Sequence, residues 1–336
     1  MNIINKKKVL AFIQEDFHSE VLDFLFELIN EIDKDIKMIL YNTIDRYDNK
    51  KLYLEKYTNL EVRNLKNFIP DLISDVFDKV IIASYDNIFH LELLQNYKEK
   101  FIYIAHSEKH VRSFNLLEMS YFSLTPLLDK EKYMLPIVNK TSGPKLAKTI
   151  SYDIYNNIRY LQSVAQNDNL EIIITVGYFF QHNKDLPLIN KLLDSKKILL
   201  LVFSPEMSNE LSYYVKKYPK NVFYGNSIPT ELIKHYITFL KIKYLLFCPP
   251  KNSSYVKNSW SGTIAFGIDN LLHLILPKEI AEIYGLIGIE KIVPYKDSDD
   301  ILIEINNKND NINSLQKWKD DIFIKNKKLL QNLICF

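Results

Sequence analysis

The chain has 336 residues, 43 Lys and Arg against 41 Asp and Glu, a formal net charge of +2, and 47% hydrophobic residues. That length exceeds one ordinary core of about 100–200 residues and points to two domains, and the balanced charge gives no reason to expect a nucleic-acid partner. Only Cys248 and Cys335 occur, so neither a disulfide framework nor a cysteine metal cluster is available.

The basic N-terminal start leads into an apolar run of about five residues followed by acids, unlike a signal peptide or a spanning helix, and no other stretch is long and apolar enough to cross a membrane. A cytoplasmic enzyme or binding protein is the expectation. The 22 Tyr accompany abundant Lys, Asn and Ile and read as a coding bias toward A/T-rich codons, not as a functional signal.

In chain order, short runs rich in Ile, Val, Phe and Tyr at 9–13, 36–40, 60–65, 80–83, 101–105 and 121–125 predict parallel strands, with an amphipathic helix over 18–32. A turn-prone stretch at 140–144 opens a helix over 145–164, which ends at the polar break 166–169. A second set of strands follows at 171–176, 198–203, 222–224, 244–248 and 273–276, separated by helices over 186–194, 208–217, 229–240 and 263–271. Residues 305–313, rich in Asn, read as a surface loop. The tail over 313–333 is amphipathic around Leu315, Trp318, Ile322, Phe323, Leu329 and Leu330 and predicts a packed helix. Two consecutive runs of β-α alternation imply an α/β chain with two Rossmann-like, doubly wound domains.

Open α/β sheets bind ligands outside the carboxyl ends of their strands, so polar residues at those junctions are the candidates. In the second half they are Gly177 with Tyr178 and Phe179, Ser204, Gly225 with Asn226 and Ser227, Lys251, and the turn Ser261, Gly262 and Thr263. That turn opens a helix, where backbone N–H groups and the positive end of the helix dipole converge, which suits a phosphate; a plain N-cap is the simpler role of the same residues. In the first half His106 ends a strand, and an imidazole titrating near neutrality can take a proton there. His18 beside Asp16 competes with it, although Asp16 also fits an ordinary helix cap. His110 reads as exposed and His235 as structural.

Gly177 followed by Lys184, then Gly225, Asn226, Ser227, Ile228 and Pro229, then 261–277, together resemble the nucleotide-sugar-binding domain of GT-B-fold glycosyltransferases over roughly 172–286. The resemblance implies two Rossmann-like domains facing a central cleft. An acceptor-side domain would occupy 1–147 and a donor-binding domain 148–312, with a terminal helix over 313–336 that can pack back on the first. It implies that Lys184 or Lys251 reaches the donor diphosphate, that 225–227 lies near the nucleoside, and that Ser261, Gly262 and Thr263 hold phosphate. Where many retaining members carry a glutamate for the donor ribose, this helix offers Asp269.

The activity implied is a hexosyltransferase-type transfer from a nucleotide-diphosphate sugar to a hydroxyl of a saccharide or glycoconjugate, in glycan biosynthesis. His106 would be the acceptor-side base, with His18 and Asp16 behind it. No metal and no cofactor are expected, because the acidic run 297–300 lies late in the chain and reads as a solvated loop. Peripheral membrane contact is the most that is expected, and a homodimer is permitted. No Gly-x-Gly-x-x-Gly follows a strand, and neither a P-loop nor Gly-x-Ser-x-Gly occurs, which disfavours dinucleotide oxidoreduction and the other enzyme classes built on those motifs. The alternatives on the same scaffold are a sugar-nucleotide epimerase, a polyol-phosphate transferase, and a non-catalytic nucleotide-sugar-binding protein.

Overall fold

The computed structural model describes residues 8–14, 19–42, 49–84, 96–116, 118–136, 151–226, 230–257, 261–306 and 313–334. Asp16, His18 and Ser227, most of the Asn-rich stretch 305–313, and the first residues of the helix expected from 145 lie outside them. The chain forms two compact units. The first comprises Met1–Lys140, Asn258–Gly262 and Asp320–Phe336, and the second Thr141–Lys257 and Thr263–Lys319.

The first unit holds strands β1 (Val9–Gln14), β2 (Lys37–Asn42), β3 (Leu60–Asn64), β4 (Lys79–Ser84), β5 (Phe101–Ala105) and β6 (Ser120–Ser123) in the order β3-β2-β1-β4-β5-β6. The second holds β7 (Glu171–Val176), β8 (Ile198–Ser204), β9 (Val222–Asn226), β10 (Tyr244–Leu246), β11 (His273–Pro277) and β12 (Ile292–Tyr295) in the order β12-β11-β10-β7-β8-β9. Every neighbouring pair is parallel. Both sheets therefore reverse their strand order once, between β1 and β4 and between β7 and β10, which is where a doubly wound sheet opens a crevice.

The apolar runs became strands because both faces of these sheets are covered. All seven residues of β8 are buried, as is every residue of β5. The helix Ser19–Ile32 buries Val21, Leu22, Phe24, Leu25, Leu28 and Ile29, with Phe26 set edge-on to Phe12 at 5.0 Å between ring centres.

Strand β12 was not anticipated from the sequence, because Pro294 interrupts its short run. It lies at the sheet edge with Pro294 exposed, where a residue without an N–H costs no ladder bond to a missing neighbour. The acidic run expected to be a loop starts a helix, Ser298–Asn306. Asp297 Oδ1 accepts the N–H groups of Asp299 and Asp300 at 2.9 and 3.2 Å, so the acid caps the first turn. Strand β10 ends at Leu246, not 248, ahead of the Pro249-Pro250 pair that cannot extend a ladder.

The terminal helix Asn313–Ile334 makes contacts in each unit. Lys319, fully buried, pairs with Asp269 in the second. Asn326 Nδ2 donates to Leu135 O at 2.8 Å in the first. No helix among the described residues is long and apolar enough to cross a membrane.

The helix Gly262–Asp269 lies unusually close to the second sheet at Gly267. A Cβ at that position would stand 2.8 Å from Leu245 Cδ2 and 3.0 Å from Leu274 Cδ1, both in fully buried residues of β10 and β11. Gly267→Val should therefore destabilise the protein by about 1–3 kcal/mol through overpacking. Urea unfolding checks this; an unchanged midpoint would mean that the two leucines yield without cost.

Candidate functional site

In the first unit the candidate group is His106, the residue after β5. Its Nε2 lies 2.8 Å from Ala83 O on β4, the neighbouring strand. A carbonyl oxygen can only accept, so Nε2 carries a proton and the neutral ring has its basic lone pair on Nδ1. The backbone N–H of His106 in turn donates to Nδ1 of His110 at 3.3 Å, and the two rings stand edge to face at 6.0 Å. His110 is partly buried, not exposed, because its ring turns back onto the end of β5. The arrangement is an imidazole of fixed tautomer on the carboxyl side of a sheet, one strand beyond the order reversal. His235, buried at 3% exposure, stacks on Phe239 in its own helix.

The sequence candidates from the second half of the chain fall into distinct environments. Gly177 follows β7 with φ +87°, a conformation that a side chain would strain, and open space surrounds the position of a Cβ. Gly225 is buried within β9, while Asn226 is exposed and its Oδ1 accepts from Tyr224 OH at 2.8 Å. Ser204, 2% exposed, spends its hydroxyl on Glu206 O at 2.9 Å inside its own turn. Lys251 is exposed in the loop after β10. Ser261 and Thr263 are buried at either side of Gly262, where the helix begins. A crossover helix runs back against the strands it connects, so this helix starts at the carboxyl end of the second sheet.

Two candidates are turned away from such a ligand. Lys184 is 4% exposed, and its Nζ donates to Thr175 Oγ1 at 3.0 Å and Val176 O at 3.1 Å, back into the end of β7. Burial pushes its pKa down, and its electrostatic neighbour is the Cys248 thiol, which burial pushes up to about 11. Asp269 ends the helix that Gly262 begins, about 10 Å farther along its axis, and pairs with Lys319 Nζ at 3.3 Å. Each position matched the sequence pattern, but each side chain is held by neighbours that the pattern does not contain.

The loop between β7 and the helix Leu186–Asp194 also carries a feature that the strand-end reading passed over. Tyr178, Phe180 and His182 stack in succession, with ring centres 5.8 and 5.2 Å apart and planes 17° and 8° from parallel. Phe179 between them is buried in the core. The alternation of ring residues after Gly177 was the available signal, but it becomes a stack only once Phe179 is anchored. The loop is bound down by Ser208 Oγ, which donates to Phe179 O, and by the N–H groups of Asn183 and Lys184, which both reach Phe180 O at 2.9 Å.

No protein-family model matches the chain, and no curated protein matches it in sequence. Solved structures match it over nearly its whole length. HepE of Anabaena, solved with UDP and glucose, superposes with a TM-score of 0.64 at 10% identity, covering 97% of this chain and 99% of that one. The fold is GT-B. A glycosyltransferase from Rickettsia africae gives a TM-score of 0.57 at 12% identity over 98% of this chain and 96% of its own. UDP-GlcNAc 2-epimerase from Neisseria meningitidis, bound to UDP-GlcNAc, gives 0.50 at 12% identity over 97% and 99%. The GT-B fold thus serves more than one reaction, and at this identity the likeness fixes the path of the chain, not its chemistry.

Lys184 yields a pH test. Its folded pKa lies below the ordinary 10.5, so between the two values the unfolded chain binds more protons and stability rises with pH. Lys184→Met keeps the volume and removes that dependence. Urea unfolding between neutral pH and pH of about 10 should show the wild type gaining stability relative to the variant. Parallel pH profiles would mean that the amine is not desolvated as described.

Proposed function

We propose that this chain is a glycosyltransferase of hexosyltransferase type, which moves a sugar from a nucleotide-diphosphate donor to an acceptor hydroxyl without a bound metal. The observation that carries this reading is the position of His106 at the carboxyl end of β5, where its Nε2–H donates to Ala83 O and fixes the ring. The helix start at Gly262 supports it, as does the presence of a glycosyltransferase among the structures that share the GT-B fold.

In this mechanism the acceptor oxygen attacks the anomeric carbon while the His106 imidazole takes its proton. The bond from that carbon to the diphosphate oxygen breaks, and the departing diphosphate carries the negative charge. The N–H groups at Gly262 and Thr263, with exposed Lys251, stabilise that charge where it develops. Asn226, at the end of β9, stands toward the nucleoside. Lys184 and Asp269 hold the loop and the helix that present these groups and do not touch the donor themselves. The corresponding cellular role is glycan biosynthesis in the cytoplasm.

Epimerisation of a nucleotide sugar is the second reading, favoured by the epimerase that shares the fold. It is separated by product: an epimerase converts the nucleotide sugar with no acceptor present and releases no nucleoside diphosphate.

A thermal-shift screen against UDP, GDP, CDP, dTDP and their sugar conjugates should identify one nucleotide, since a ligand at about 100 times its Kd adds about 2.7 kcal/mol. With that donor, His106→Ala should lower turnover by about 10²–10⁴ and leave donor affinity unchanged. Gly262→Val should weaken donor binding, and activity should persist in a chelator. Full transfer by the histidine variant would remove His106 from the reaction, and no shift with any nucleotide would remove the donor site.

A further inference from the structure

The stacked rings of the loop after β7 have no part in the steps above. We infer that Tyr178, Phe180 and His182, with the carboxylate of Glu210 at their edge, form a saccharide subsite that takes the apolar C–H face of a pyranose ring. The subsite deepens the transferase reading, because it names the part of the second unit that grips a sugar, and it rests on that reading for its place in a reaction.

The rings are slipped, not eclipsed. Centre separations of 5.8 and 5.2 Å at nearly parallel planes exceed the contact distance of about 3.5–4 Å between carbon atoms, so each ring overlaps its neighbour only in part. His182 is exposed at the end of the staircase, and Tyr178 and Phe180 are half-buried. A ring surface that reaches solvent through His182 at a strand's carboxyl end, beside the order reversal of β7 and β10, suits a ligand with a flat apolar face.

The staircase is also rigid before any ligand arrives. Phe179 is locked in the core, Phe180 O accepts two backbone N–H groups, and the Lys184 amine ties the far side of the loop to Val176 O. Little conformational entropy is left to lose on binding.

Glu210 supplies the polar edge. It lies in the first turn of the helix Asn209–Lys217, and its Oε1 accepts the N–H of Gln181, within the staircase, at 3.4 Å. Its own backbone N–H, then that of Gln181, hold its carboxyl below the usual range, so it is ionised at neutral pH. A carboxylate only accepts, and sugar hydroxyls donate. The same negative charge opposes an anionic nucleotide on this platform, which favours a neutral sugar ring over a nucleobase with its phosphates.

The test follows the His182 Cε1–H resonance of the full chain during titration with glucose, galactose, N-acetylglucosamine, maltose and cellobiose, then with UDP, GDP, CDP and dTDP and their hexose conjugates. At least one saccharide or nucleotide sugar should shift that resonance saturably, while the bare nucleotides leave it in place. Measured by calorimetric titration, His182→Ala and Glu210→Gln should each weaken that binding about three- to tenfold, while Tyr213→Ala, exposed on the same helix as Glu210, should not.

A shift with nucleotide sugars alone assigns the donor sugar, and a shift with free saccharide assigns the acceptor. If a nucleotide binds elsewhere while no sugar in either form moves His182, the subsite is wrong and the transferase reading stands. If free sugars bind here and no nucleotide binds at all, the subsite stands and the transferase reading falls. If a bare nucleotide moves His182 and His182→Ala weakens it, the platform holds a base, which overturns the saccharide assignment.

Discussion

Parallel strands cannot be joined by a tight turn. Each connection must leave the carboxyl end of one strand, cross a face of the sheet through a helix, and return to the amino end of the next. In this chain that constraint acts in both units, where among the described residues twelve strands form two sheets of six with every neighbouring pair parallel. All the strand-to-helix loops of a sheet therefore gather along one edge, and the reversal of order separates two of them. His106, Gly177, Asn226, Lys251 and Gly262 owe their candidacy to that rule, which does not depend on their own chemistry.

What the rule leaves open is how each side chain at such an edge is used, and the structure divides them by burial and hydrogen bonding. Lys184 and Ser204 turn their polar atoms inward and shape loops, and Asp297 caps a helix from an exposed position. Asp269 pairs with a buried lysine from the terminal helix. A buried lysine is costly unless its donors are met, so Lys184 and Lys319 are committed to the fold. Lys251, Asn226 and His182 keep exposed surface at the same edges. Lys184 braces the loop that carries the aromatic staircase.

The architecture was legible in the sequence because burial on both faces of a parallel sheet writes itself as short, unbroken apolar runs separated by helical periodicity. Strand β12 escaped because Pro294 is permissible only at an edge, and a sequence does not say which strand is the edge one. The helix 298–306 escaped because an acidic start reads equally as a cap or as a solvated turn until its N–H partners are known.

For the candidate site, the sequence by itself determined the residue types and their positions at strand ends, since both follow from local periodicity. The tertiary structure decided where each side chain points, because the deciding partners lie far away along the chain. Ala83 is 23 residues from His106, Phe179 is 29 from Ser208, and Lys319 is 50 from Asp269. The proton on Nε2 of His106, the inward turn of Lys184, and the stacking of Tyr178, Phe180 and His182 all arise from contacts that exist only after the sheets have formed. Apolar periodicity is a property of a segment, whereas the direction of a polar side chain is a property of its neighbours in space.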